Sequence, residues 1–398
     1  MRVVINGLAA LKPKTGVGHH VANLAAALTA SFPDDEYTLY PGRRLAGVVR
    51  RLNRPPVAGT GASRRQTSGL KSRSLALLKA TAKAASRFHF RAYTRAYPFD
   101  LYHEPNFVPF PSGLPTVVTV HDLSVIRYPE WHPADRVRMH EKRFTFGLGQ
   151  AAHVIVVSEA VRQETIAELG VPADRVTAVP NGVGPAFRPL PAAEVDAVRV
   201  RLGLPQRYFL CVGTIEPRKN IGTAMRAFAD LPDVVRDACP LVLAGPWGWK
   251  SEADRKYYEG VGRDRGVRHL GYVADADLPA LYTGAVGLVY PSHYEGFGIP
   301  PLEMMACGGA VLASTAEAVR EVCGPHAAFI EPEDLPGWRA ALLRLATDAE
   351  YRDGLRRGGI AHAATFTWER VAQETIAVYR HVLAPTASEP ALSSRPAA

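Results

Sequence analysis

Short apolar runs and helical stripes alternate from one end of this chain to the other. Runs rich in branched and aromatic residues, bounded by turn residues, read as buried strands. In the first half they cover residues 2–6, 38–40, 101–103, 116–120, 153–157 and 176–179. In the second half they cover 208–212, 241–244, 269–272, 287–290, 310–313 and 328–330. Between them, apolar residues recur at three- and four-residue spacing over 19–30, 74–97, 134–150 and 159–169, the last with Ser158 as its cap. Alternation of this kind predicts parallel sheets in α/β layers. A Gly/Pro-rich stretch, 182–191, marks a hinge between two halves.

Two loops carry candidate chemistry. The first follows strand 287–290 and reads Glu295-Gly296-Phe297-Gly298-Ile299-Pro300-Pro301-Leu302-Glu303. Pro300 and Pro301 suit the first turn of a helix, where a missing N–H costs little, and Gly308-Gly309 should end it. Two carboxylates flanking such a turn can accept from vicinal hydroxyls of a sugar and of a ribose. A helix-start glutamate that only complements the dipole is the plain alternative. The second loop follows strand 208–212, where Arg218-Lys219 stand just before Asn220, a good N-cap for a helix from Ile221. A planar fork and a point charge beside free N–H groups suit a diphosphate.

Together these segments resemble the retaining nucleotide-sugar glycosyltransferases of family 4, over most of the chain. The resemblance implies the GT-B fold: α/β, two Rossmann-like domains facing a cleft, and a C-terminal helix crossing back to the first domain. The domains would be 1–183 on the acceptor side and 205–365 on the nucleotide-sugar side. They would be joined by a linker 184–204 and followed by a crossover helix 366–384 and a disordered tail 385–398. It implies that Glu295 holds the donor sugar with the backbone of Phe297 and Gly298, and that Glu303 holds the ribose. Arg218 and Lys219 would take the diphosphate. His121, at the end of strand 116–120 with Asp122 beside it to fix its tautomer, would contact the transferred sugar. Thr15-Gly16-Val17-Gly18 matches neither the dinucleotide fingerprint nor the phosphate loop. The resemblance favours binding there, with Gly16 letting the backbone approach donor phosphate and acceptor. A tight turn is the other reading. The reaction implied is a same-face displacement in which a donor phosphate oxygen takes the acceptor's proton.

Mannose from GDP-mannose is the favoured donor, with Trp131-His132-Pro133 as a weaker sign of it. A UDP-glucose or UDP-N-acetylhexosamine transferase of the same fold is the alternative. The acceptor would be a glycan or a polyprenyl-diphosphate-linked glycan, and His103-Glu104-Pro105-Asn106 would line its side. Two departures from the family pattern stand out. Gly184 replaces a common aspartate, and Ala318-Val319-Arg320-Glu321 stands where a Pro-Glu pair usually opens a helix.

Asp275-Ala276-Asp277 has the form of a metal motif, but its place before helix 278–283 reads as a cap. With Arg218 and Lys219 supplying positive charge, no cofactor and no metal are expected.

Composition adds three things. At 398 residues and 47% apolar, the chain has material for two cores. No apolar run is long enough to span a membrane, and the start of the chain lacks the pattern of a signal peptide. The cysteines, Cys211, Cys239, Cys307 and Cys323, are dispersed and read as core residues in a reducing compartment. A cytoplasmic protein, peripheral on the inner face of the cell membrane, is the expectation.

Net charge is +9, yet it is concentrated. Between Tyr37 and Phe99 there are 14 Lys or Arg and no Asp or Glu. In 74–97 one stripe holds Leu75, Leu78, Ala82, Ala85, Phe88 and Ala92, and another Lys79, Lys83, Arg87, Arg91 and Arg95. Docking on an anionic membrane face is expected, against packing of the apolar stripe on the first domain. A nucleic-acid-binding protein using the 43–95 segment, with Phe88, Phe90, Tyr93 and Tyr97 as stacking platforms, is the rival from another class. No recognisable binding module surrounds them, so nucleic acid is not expected.

Overall fold

The computed structural model describes residues 1–11, 16–42 and 85–384. The tail 385–398, most of the basic stretch and Thr15 lie outside the described residues. Among the described residues all the expected strands form, in two parallel sheets. The first contains β1 (Arg2–Asn6), β2 (Glu36–Tyr40), β3 (Leu101–Glu104), β4 (Thr116–Val120), β5 (His153–Val156) and β6 (Val176–Ala178), in the order β2-β1-β3-β4-β5-β6. The second contains β7 (Phe209–Val212), β8 (Leu241–Ala244), β9 (Val267–Gly271), β10 (Gly287–Tyr290), β11 (Val311–Ser314) and β12 (Ala328–Ile330), in the order β12-β11-β10-β7-β8-β9. β2 and β9 each begin two residues before their expected starts, and β9 ends at Gly271, leaving Tyr272 outside it and 63% exposed.

The second sheet is covered on both faces, which is why its strands read as continuous apolar runs rather than alternating ones. Phe209, Cys211, Leu241, Leu243, Val289 and Leu312 pack into one layer. Leu210, Val242, Leu288, Tyr290, Val311 and Ala313 pack into the other. Each such side chain contributes about 1.5–3 kcal/mol on leaving water. All four cysteines are buried and unbridged.

The chain divides into two compact units. One is Met1–Val118 with Gln150–Val154 and the chain from Ala372 onward; the other is Thr119–Gly149 with Ile155–Val371. Helix Trp368–Leu383 thus returns to the first unit, as expected. There the Tyr379 hydroxyl meets His103 Nδ1 at 2.7 Å. Glu104 beside it is buried, taking hydrogen bonds from Tyr102 Oη at 2.6 Å and Asn6 Nδ2 at 2.7 Å. Both side chains belong to the interior, so the expectation that His103 and Glu104 line an acceptor surface is corrected.

Gly182 has no room for a side chain: a Cβ would stand 2.7 Å from Trp368 N. The stretch read as a linker contains helix Ala192–Arg201, whose Val198 packs on the core of the second sheet.

The basic helix differs from its expected wheel. Residues 85–96 are helical, but the packed residue is Phe90, against Tyr40, Tyr102 and Phe110. Ala85, Phe88 and Ala92 face outward, Phe88 being 79% exposed. The face carrying Phe90 and Tyr93 prevails over the one carrying Phe88 and two alanines, because two rings remove more apolar area from water than one. With Phe90 buried, the aromatic row required for base stacking does not exist.

Candidate active site

The winding of the second sheet reverses between β7 and β10, with β8 and β9 on one side and β11 and β12 on the other. Loops leaving the carboxyl ends of two such strands part and open a crevice. The two sequence motifs lie on these two loops. A 3₁₀ turn, Pro217–Lys219, follows β7. Helix Ile299–Ala306 follows the β10 loop, with its prolines in the first turn as expected. Gly298 precedes it at φ 120°, a conformation side chains rarely tolerate.

Arg218 and Lys219 close on Glu295. Arg218 Nη1 donates to Oε2 at 2.5 Å and Lys219 Nζ to Oε1 at 2.6 Å. The Glu295, Arg218 and Lys219 side chains are only 6%, 15% and 13% exposed. Water screens these pairs little, so they outweigh ordinary surface ion pairs. Arg218 also donates twice to Glu216 Oε1 and once to the Tyr294 carbonyl. Lys219 donates to Tyr290 Oη at 3.0 Å. One N–H then remains on each cation, given five donors on a guanidinium and three on an ammonium.

Burial alone would raise the Glu295 carboxyl, but Arg218 and Lys219 bring it down to about 2. Burial opposes the Arg218 charge, and Glu295, Asp122 and Glu216 hold it well above the usual value. Burial also draws the Lys219 ammonium below the ordinary range, against the pull of Glu295. Glu303 has no such partners. Burial pushes it up to about 8, and its hydrogen bond is from Tyr282 Oη at 2.8 Å.

The loop after β4 belongs to the same compact unit and meets the Glu295 loop directly. A Cβ on Gly296 would lie 1.7 Å from the His121 carbonyl oxygen, so only glycine lets these backbones touch. Ser158 Oγ donates to the Gly296 carbonyl at 2.7 Å while capping helix Glu159–Leu169 through Val161 N–H. Leu123 N–H donates to Tyr294 Oη at 3.0 Å, and that hydroxyl donates to Glu164 at 2.6 Å. Asp122 accepts from Ser124 N–H and Oγ. Burial works against its charge, yet Arg218 and Ser124 keep its carboxyl below the ordinary value. His121, Glu295, Arg218 and Lys219 are thereby brought into one region.

The other expected residues fall as follows. Phe297 is buried edge-on to Phe366. Gly16 opens helix Gly16–Ser31 in the other unit. Gly18 has a steric role there, since a Cβ would stand 2.9 Å from Ala9 O. Trp131 stacks on Tyr128 and His293 at 4.1 and 5.7 Å. His132 is 3% exposed with neither ring nitrogen hydrogen-bonded, and burial, aided by Arg136, lowers it to about 4.

Two caps are corrected. Asn220 occupies the cap position at φ 52°, but its Oδ1 accepts from the Thr223 hydroxyl and its amide donates to Pro291 O and Pro332 O. It ties the two loops together instead of capping the backbone. Asp277 occupies the cap position of helix Leu278–Gly284 without a side-chain cap hydrogen bond. Asp277 takes a bidentate pair from Arg201 at 2.6 and 2.9 Å. Among the described residues no three His, Cys, Asp or Glu side chains gather as a metal site. At the departure in 318–321, the Glu321 carboxylate accepts from Glu159 and Ala160 N–H at 2.8 and 3.0 Å. It thus caps a neighbouring helix.

Sequence reading missed Tyr290, Tyr294, Tyr282 and Glu216. The available signal was their position, next to or opposite the charged motifs, with a hydroxyl or carboxylate free to orient them.

Two Rossmann-like sheets with a basic pair and a carboxylate at the switch point define a nucleotide-sugar glycosyltransferase architecture. The pattern described as Glycosyltransferase Family 4 matches residues 14–187, and that described as Glycosyl transferases group 1 matches 196–362. O-antigen chain mannosyltransferase B of Escherichia coli is 35% identical over 92% of this chain and 96% of its own length. The serotype-specific mannosyltransferase WbdA of Escherichia coli is 30% identical over 67% of this chain and 34% of its own. Sucrose-phosphate synthase from Thermosynechococcus elongatus shares the fold with a TM-score of 0.70, at 22% identity, covering 97% of this chain and 99% of its own. The chain belongs to family 4 of the GT-B glycosyltransferases and is a hexosyltransferase.

Proposed function

We propose that this enzyme transfers mannose from GDP-mannose, with retention, to a glycan or polyprenyl-diphosphate-linked glycan during polysaccharide assembly. The likeness to an O-antigen chain mannosyltransferase over nearly the full length of both chains supports the sugar and the setting. The observation that carries the chemistry is the convergence of Arg218 and Lys219 on Glu295 at the switch point.

Departure of a nucleoside diphosphate develops negative charge, and prearranged cations in a water-poor site stabilise it without reorganising. Arg218 and Lys219 supply that charge to the diphosphate in place of a metal. Glu295 accepts from hexose hydroxyls, with the backbone of Phe297 and Gly298 beside it and His121 contacting the same sugar. Glu303 meets the ribose, and Gly16 approaches the donor phosphate and the acceptor. A donor phosphate oxygen takes the proton of the attacking acceptor hydroxyl, and the new bond forms on the face the leaving group vacates.

Among the described residues no helix is long and apolar enough to cross a membrane. The basic stretch would hold the enzyme on the anionic inner face of the cell membrane, where lipid-linked acceptors lie.

Incubating the purified protein with GDP-mannose, UDP-glucose and UDP-N-acetylglucosamine, and measuring donor cleavage, tests the donor. GDP-mannose should be consumed fastest, and preference for a UDP-sugar would replace it. NMR of the product should show an α linkage; a β linkage would overturn the displacement.

A further inference from the structure

Helix 85–96 buries Phe90 and leaves a mixed face bare. At about 100° per residue, Phe88 and Arg95 project about 20° apart and Arg91 about 40° further on, all at least about 100° from Phe90. Phe88 is 79% exposed. Beside it, Arg91, Thr94 and Arg95 line a cavity of about 420 Å³ closed on its other side by residues 111–114. Neither arginine pairs with a carboxylate among the described residues, and the chain from Tyr37 to Phe99 contains none. The Thr94 hydroxyl donates back to the carbonyls of Phe90 and Arg91. The cavity therefore presents two guanidinium forks, one turn apart, as its principal donors. Such forks match the oxygens of a phosphate bidentately.

We infer that this cavity binds the phosphate of an anionic lipid headgroup, with Phe88 entering the acyl boundary next to it. The inference rests on the reading that the basic stretch meets a membrane, and it assigns the headgroup to a particular pocket. A bare aromatic ring beside paired arginines suits a surface that is anionic outside and apolar beneath. A free phosphate would give Phe88 no partner.

Flotation with phosphatidylcholine vesicles, with and without phosphatidylglycerol, tests it. Wild type should float only with the anionic lipid. Arg91→Gln with Arg95→Gln should weaken flotation about 30-fold, the effect of two engaged cations at about 1 kcal/mol each. Arg43→Gln with Arg44→Gln removes the same charge elsewhere in the stretch and should cost much less. Phe88→Ser should also weaken binding. Donor cleavage should stay at the wild-type rate in all of them. Equal losses in the two arginine pairs would overturn the pocket and leave membrane docking intact, as diffuse charge. Failure of wild type to float would overturn both. Titration with inorganic pyrophosphate gives the last arm: saturable binding that depends on Arg91 and Arg95, without flotation, would make the pocket a site for a soluble phosphate.

Discussion

Glu295 and Glu303 bracket one helix start, and their surroundings drive them in opposite directions. The first lies where the β7 loop delivers two cations, and it stays ionised to about pH 2 despite burial. The second lies against helix Leu278–Gly284, which offers only the Tyr282 hydroxyl, and burial takes it to about 8. At neutral pH one end of the motif is therefore an anion and the other a neutral acid. An anion only accepts, which suits sugar hydroxyls that donate. A neutral carboxyl both donates and accepts, which suits a ribose diol. Identical side chains thus acquire distinct chemistry from what the neighbouring elements bring.

The sharpest way to break this contrast is charge removal. Glu295→Gln leaves buried Lys219 without its carboxylate and Arg218 to its pair with Glu216, and should cost about 3–5 kcal/mol of stability. Glu303→Gln removes no charge from the folded protein at pH 7 and should not lower stability; it should raise it there, because the wild-type carboxyl must take up a proton on folding. Urea unfolding of both variants measures this, and equal losses would erase the distinction. Kinetically, Glu295→Gln should damage turnover more than nucleotide binding, whereas Glu303→Gln should raise the donor KM.

Arg218→Ala and Lys219→Ala should each slow turnover by roughly 2.7–4 kcal/mol in barrier, by analogy with losing an oxyanion donor. Either variant turning over at the wild-type rate would remove that residue from diphosphate stabilisation. Gly296→Ala forces a methyl into the His121 carbonyl and should cost about 1–3 kcal/mol as overpacking. If a Gly296→Ala variant melts with wild type, the two loops do not touch as described.

A smaller effect lies in pH. Glu303 keeps its proton in the folded state up to about 8, above the ordinary 4.5, so its contribution is full below 4.5 and is lost as pH rises to 8. Glu295 does the reverse: its contribution is present above 4.5 and lost as pH falls toward 2. Glu303→Gln should flatten only the neutral arm of a stability–pH curve, and Glu295→Gln only the acid arm. Glu104, also near 8, keeps its own slope in both. The smallest expected effect is none at all: EDTA should leave activity unchanged if, as proposed, the two cations serve the diphosphate. Activity lost to EDTA and restored by Mg²⁺ or Mn²⁺ would end that assignment.

Much of this was legible in the sequence because parallel strands buried on both faces are nearly pure apolar runs. Helices Ala134–Gln150 and Glu159–Leu169 were legible for a similar reason, with clear periodicity and, for the second, a serine cap. Helix Ala192–Arg201 was not, because proline and glycine before it mask its start. Asn220 and Asp277 look like caps by type and position. Their side chains instead found partners distant in sequence, Pro291, Pro332 and Arg201, which no local rule can foresee.

The sequence by itself determined the strands, the two-sheet α/β class and the identity of the charged motifs, since these follow from local periodicity and residue chemistry. Tertiary structure decided which motifs meet and in what charge state. The reversal of winding between β7 and β10 brings Arg218 and Lys219 onto Glu295 across 76 or 77 residues of chain. Gly296 admits the His121 backbone because it has no side chain. A carboxylate's proton affinity depends on burial and on charges within a few ångströms, and only the folded chain sets those distances.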